Sequence, residues 1–229
     1  MTLPEILTSE HVNNAAALVR DYYTKVYRHD LPRTGSRFDN WAGGGDRSEI
    51  ANEITADDLV AVSLLSIRFP ATAAIGILET RSDDIAGLLE QIPTDRALHE
   101  VDAKDYEGFL GSDSPANKLW RLLRGTDTYR WGVGATTASK ILARKRPHLI
   151  PIYDSVVAPL MGLESADGQW TRWHAALTGD RGLAERLHAI REQSEINLQI
   201  SDLRIMDVVL WMHGKNLGMT VQDDAPSEQ

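Results

Sequence analysis

The sequence predicts an all-α protein, and three observations carry that expectation. Apolar residues recur at a helical period along most of its length, as in Val12, Ala15, Ala16, Val19, Tyr22, Tyr23 and Val26. Capping residues punctuate the chain at helix-length intervals: Ser9, Thr55, Ser82-Asp83-Asp84, Ser114-Pro115 and Ser201-Asp202. No alternating apolar–polar run of strand length is convincing, and 148–153 is the one short extended candidate.

Taken in order, these signals predict a helix over 10–27, opened by Ser9. Residues 28–53 are rich in Gly, Asp, Asn and Arg, include Gly43-Gly44-Gly45, and read as a long loop with short turns. A loop of that length is mobile or functional. Its Arg33, Arg37 and Arg47 are placed to reach DNA or cover a pocket, or to stand in solvent. Thr55 caps the next helix, with Asp57 and Asp58 at its positive dipole end, and the apolar body 59–67 is expected to be buried. Further helices are predicted over 71–79, 85–92, 116–123, 134–144, 154–161, 168–177, 183–192 and 203–213, with a weaker one over 95–101. Pro115 sits in the first turn of the 116–123 helix and Gly125 follows its end. The expected organisation is one helical unit over 1–215 and a polar tail over 216–229.

Composition bounds the function. The 229 residues suffice for one large domain or two intimately packed lobes. There is no cysteine, which excludes disulfides, thiolate catalysis, zinc–cysteine sites and a four-cysteine iron–sulfur cluster. His174, His188 and His213 lack metal-ligand spacing, so no metal site is expected. No apolar run approaches a membrane span, and the N-terminus lacks the pattern of a secretory signal. A reducing cytoplasm is the expected compartment.

The net charge of −9 disfavours a general nucleic-acid binder, but its distribution does not. Residues 114–153 hold eight basic residues and one acid, Asp127, for a local charge of +7; the remainder carries 16 basic and 32 acidic residues, or −16. Inside this island lies Trp131-Gly132-Val133-Gly134-Ala135-Thr136-Thr137-Ala138-Ser139-Lys140. A Gly-Val-Gly turn opening a helix presents backbone N–H groups to an anion. Gly132, Val133, Gly134, Ala135, Thr136 and Thr137 are therefore candidate phosphate-backbone contacts, with Lys140 and Arg144 one and two turns further on. Asp154 follows the second glycine by 20 residues. It is a candidate catalytic carboxylate or, equally, the cap of a short helix. Trp131 and Tyr153 adjoin the two motifs and are the candidate walls of a base pocket.

Gly132-Val133-Gly134-x-x-Thr137-Ala138, with Asp154 and Val157 downstream, resembles the helix-hairpin-helix DNA glycosylase superfamily over about residues 114–160. The wider chain also resembles an uncharacterised actinobacterial protein family that carries the Gly-Val-Gly-Ala-Thr-Thr-Ala-Ser-Lys signature. The first resemblance implies two closely packed helical lobes with a cleft between them, DNA as partner, and Asp154 as the carboxylate that stabilises positive charge on the sugar during N-glycosidic cleavage. Thr136 stands where lyase members carry a lysine, so a monofunctional hydrolase acting on a modified or damaged base is implied. No organic cofactor is implied, and a monovalent cation at the hairpin is compatible. Two other readings stay open: a non-catalytic DNA-binding module using the same hairpin, and a helical scaffold that binds protein through its acidic surface.

Overall fold

The computed structural model describes residues 3–125 and 130–220; Asp127 and residues 221–229 of the expected polar tail lie outside them. The regular elements of the described residues are helices: α1 Val12–Thr24, α2 Ala56–Ser63, α3 Ala71–Ile75, α4 Ser82–Leu89, α5 Ala103–Leu110, α6 Pro115–Arg124, α7 Ala135–Lys145, α8 Val157–Leu160, α9 Gln169–Gly179, α10 Leu183–Ser194 and α11 Asp202–Asn216, with shorter helical turns between them. Their one β-type pairing is an isolated bridge between Val26 and Pro32. The expected extended piece at 148–153 forms no strand.

By internal packing the chain divides into two compact units. The first combines Met1–Ser36 with Pro151–Asp223; the second is built from Arg37–Ile150.

In the first unit, α1 lays Ala15, Ala16, Val19 and Tyr22 against α10 and α11. Helix α11 is buried along most of its length, from Leu203 to Met212, after Ser201 Oγ accepts the Arg204 amide at 3.1 Å. Helix α8 crosses α11 at Gly214, where an added Cβ would fall 2.6 Å from Val156 Cγ1. Only glycine admits that approach. Arg20 donates to the Gln193 and Ser194 carbonyls, satisfying the C-terminal end of α10 with a cation.

In the second unit, α2 opens with a complete capping box. Thr55 Oγ accepts the Asp58 amide, and Asp58 Oδ2 accepts the Thr55 amide at 2.9 Å. Helix α2 packs on α7, and α6 packs on α4, α5 and α7. The helix expected over 59–67 stops at Ser63, and Ser66 turns the chain with φ +63°. Helix α5, not anticipated from the sequence, is capped by Asp102, whose Oδ1 accepts the Lys104 and Asp105 amides. The long loop forms short turns over Thr34–Arg37 and Trp41–Gly43 and is fastened from the side by α7.

Candidate nucleic-acid interface

Helices α6 and α7 pack on each other, and the Gly-Val-Gly motif leads into α7; residues 126–129 between the two helices lie outside the described residues. Ser114 Oγ accepts the Asn117 amide at 3.1 Å, Pro115 takes the first turn, and Gly125 ends α6 in the left-handed region. Gly132 is exposed with φ +84°, and an added Cβ would lie 3.0 Å from Pro70 Cγ. Both conformation and space call for glycine there. Val133 is buried and anchors the turn. Gly134 is the N-cap of α7, and the first helical bond runs from the Ala138 amide to the Gly134 carbonyl at 3.0 Å. The amides of Ala135, Thr136 and Thr137 therefore precede the intrahelical ladder. Gly134 and Ala135 are half-exposed, whereas Thr136 and Thr137 are buried, so their hydroxyls are withdrawn from a ligand at the surface. This narrows the expected contact set to Gly132, Gly134 and Ala135.

The island's charge divides along the chain. Lys118, Arg121 and Arg130 are exposed, and Arg124 lies over the Trp120 ring at 5.5 Å. Lys140, Arg144, Lys145 and Arg146 are all buried.

Lys140 and Arg144 require correction as expected DNA contacts. Each is only 3% exposed. Lys140 Nζ donates to the Leu65 carbonyl at 3.2 Å. Arg144 donates from Nε to Asp58 Oδ1 at 3.2 Å, from Nη1 to the Phe38 and Asp39 carbonyls, and from Nη2 to the Trp41 carbonyl at 2.5 Å. A guanidinium so engaged has no edge left for a phosphate.

Lys145 completes the arrangement, donating to the Ile50 carbonyl at 2.8 Å and to Asp58 Oδ2 at 3.1 Å. Arg146 donates to the carbonyls of Ile92, Ala51, Lys145 and Leu89 and to Asn52 Oδ1. The cations at the end of α7 thus fasten loop carbonyls between residues 38 and 51 to the core, with fully buried Asp58 as the shared counter-charge of Arg144 and Lys145. The loop runs so close to α7 that a Cβ on Gly45 would meet Arg144 at 2.7 Å. Burial pushes the Lys145 ammonium below its ordinary range, opposed by Asp58 and assisted by Arg144 and Arg146. Burial likewise brings the Arg146 guanidinium down to about 10, opposed by Asp46.

Trp131 is also not a pocket wall. Its ring lies so near Gly76 that a Cβ there would sit 2.2 Å from the indole, and its Nε1–H donates to the Leu123 carbonyl at 2.5 Å. It is buried and joins the end of α6 to the start of the 76–80 turn. Tyr153 is half-buried in the first unit.

Asp154 belongs to the first unit and the Gly132–Thr137 segment to the second. Asp154 is 7% exposed; its Oδ1 accepts the Val156 amide at 3.0 Å, and its carbonyl accepts the Val157 and Ala158 amides. This carboxylate closes a local turn two residues ahead of Val156, the N-cap of α8, and makes no cap bond to the helix itself. Nearby, Gln169 Nε2 donates to the Pro151 carbonyl at 3.1 Å, while its buried Oε1 has no hydrogen-bond partner. The sequence offered no signal for Gln169, since its role depends on burial alone.

Among the described residues no group of three or more His, Cys, Asp or Glu side chains comes together as a metal cluster, and no helix is long and apolar enough to cross a membrane. No curated protein and no solved structure matches the chain. A family model does match, over residues 15–214, and by that match the chain belongs to the family described as "Family of unknown function (DUF6308)".

Proposed function

We propose that this protein binds the phosphate backbone of DNA through the Gly132–Ala135 turn, as a binding module rather than a catalyst. The observation that carries the reading is the exposed Gly132 at φ +84° leading into the N-terminus of α7. Amides ahead of the helical ladder, together with the helix dipole, attract an anion. Exposed Lys118, Arg121 and Arg130 add positive charge to the stretch of chain that precedes the turn. Contacts of this kind position a backbone without reading sequence.

Titration of a labelled duplex across a salt series tests this. Affinity falls steeply with salt, and the double variant Arg121→Glu/Arg130→Glu loses affinity and flattens the slope by about 0.9 for each phosphate contact removed. Absence of binding at low salt refutes the proposal.

A second reading, hydrolysis of an N-glycosidic bond, is favoured by one observation: a buried carboxylate at the start of α8, where the resemblance to helix-hairpin-helix glycosylases locates the acid. Asp154→Asn separates the two. Base release from modified duplexes by the wild type, lost in Asp154→Asn with DNA affinity retained, establishes the enzyme. Affinity without base release from any substrate leaves the module.

A further inference from the structure

In the first unit two cations, Arg33 and Lys215, gather on one indole with no carboxylate partner among the described residues. Tyr22 of α1 and Trp211 of α11 meet edge to face with ring centroids 6.0 Å apart. The Arg33 guanidinium lies 5.4 Å from the Tyr22 centroid and 5.2 Å from those of Tyr27 and Trp211, and it donates to the Tyr27 hydroxyl. Its Nε–H is buried and has no acceptor. Lys215 Nζ stands 6.0 Å from the same Trp211 ring. Arg204 lies 5.3 Å from Tyr22 and is paired with Asp207. Among the described residues no carboxylate pairs with Arg33 or Lys215.

Ring faces attract cations but supply neither a full counter-charge nor a lone pair for a guanidinium N–H. The rings hold Arg33 in place, and among the described residues no anion meets its charge. Arg33, Trp211 and Lys215 are half-buried, and Tyr27 is exposed at the edge, so solvent reaches the cluster. A planar guanidinium and an ammonium held against one ring suit a tetrahedral oxyanion, because each brings a positive charge and several donors.

We propose that Arg33 and Lys215, gathered on the Trp211 indole, bind a small phosphate-class oxyanion, either inorganic phosphate or the terminal group of a phosphomonoester. The exposed Tyr27 ring offers a stacking face to a flat group attached to that phosphate. This site lies in the first unit and is independent of the backbone-binding turn of the second.

Calorimetric titration of the intact protein with inorganic phosphate, ribose 5-phosphate and adenosine monophosphate tests it. Inorganic phosphate binds the wild type; Arg33→Gln and Lys215→Gln each weaken it at least tenfold, and Arg33→Lys retains part of the affinity. Tighter binding of adenosine monophosphate than of ribose 5-phosphate assigns a phosphomonoester stacked on Tyr27, and equal affinities assign the phosphate group alone. If Arg33→Gln fails to fold, Lys215→Gln carries the test, since Lys215 lies in the last turn of α11. Absence of binding by all three probes overturns the proposal. So does affinity unchanged in both variants, or phosphate binding lost in Arg130→Glu, which would move the site to the turn.

Discussion

Helix α6 together with Arg130, and the C-terminal half of α7 together with its C-cap Arg146, carry four basic residues each, yet the two halves of the island do opposite things. On α6 and the turn, Lys118, Arg121 and Arg130 face solvent while Ala116, Leu119, Trp120 and Leu123 face the core. On α7 every residue from Thr136 to Lys145 is buried, and the cations of its last turn face inward onto carbonyls and Asp58. The same residue types stand in solvent in one place and fasten the chain in the other. What decides is the presence of a buried carboxylate and a row of loop carbonyls within reach. Density of positive charge in a sequence is therefore a weak guide to a nucleic-acid surface until burial is known.

Removing the shared counter-charge gives the largest expected effect. Asp58→Asn leaves Arg144 and Lys145 buried without an anion and costs about 3–5 kcal/mol in denaturant unfolding. A loss below about 1 kcal/mol would mean that carbonyl ligation alone holds the clamp. Next, Gly76→Ala drives a methyl into the Trp131 ring and destabilises by about 1–3 kcal/mol, read from the same curves. Charge reversal on the outer half should behave in the contrary way. Arg121→Glu and Arg130→Glu each leave unfolding within about 0.5 kcal/mol of wild type while weakening duplex binding. Equal destabilisation by inner and outer reversals would erase the distinction between the halves.

The smallest effect concerns acid. Arg186 lowers the Asp180 carboxyl below its ordinary 3.8 by hydrogen bonding, and the Gly182 amide assists. A depressed carboxyl stabilises the fold above its unfolded-state pKa and loses that contribution as pH falls through the folded value. Asp180→Asn therefore costs at most about 1 kcal/mol near neutrality, since the pair is partly solvated, and it flattens the stability curve below pH 3.8.

The helical class was legible because capping chemistry is local. Thr55 and Asp58 form their box within four residues, and Ser114-Pro115 and Gly125 bracket α6 as their residue types require. Helix α5 escaped notice because Tyr106 and Leu110 are its only buried residues, too few to display a period. The overextended 59–67 helix followed an apolar run that says nothing about Ser66 turning left-handed. The turn was readable at Gly132, where φ +84° selects glycine, whereas Gly134 has extended backbone at φ −82°. Arg144 and Lys140 were misread because their partners, Asp58 and the carbonyls of residues 38, 39, 41 and 65, are distant in sequence. Trp131 was misread for a related reason: Gly76, which makes room for it, lies 55 positions earlier. The Arg33 cluster depends on α1, α11 and the loop between α1 and α2 converging, which no single segment announces.

The division between outer and inner halves can be read residue by residue from backbone amide resonances as duplex DNA is added at low salt. The account predicts shifts at Gly132, Gly134 and Ala135 and at exposed Arg121 and Arg130, with Arg144, Lys145 and Arg146 unmoved. Shifts confined to other surfaces, or a spectrum unchanged by DNA, would contradict it.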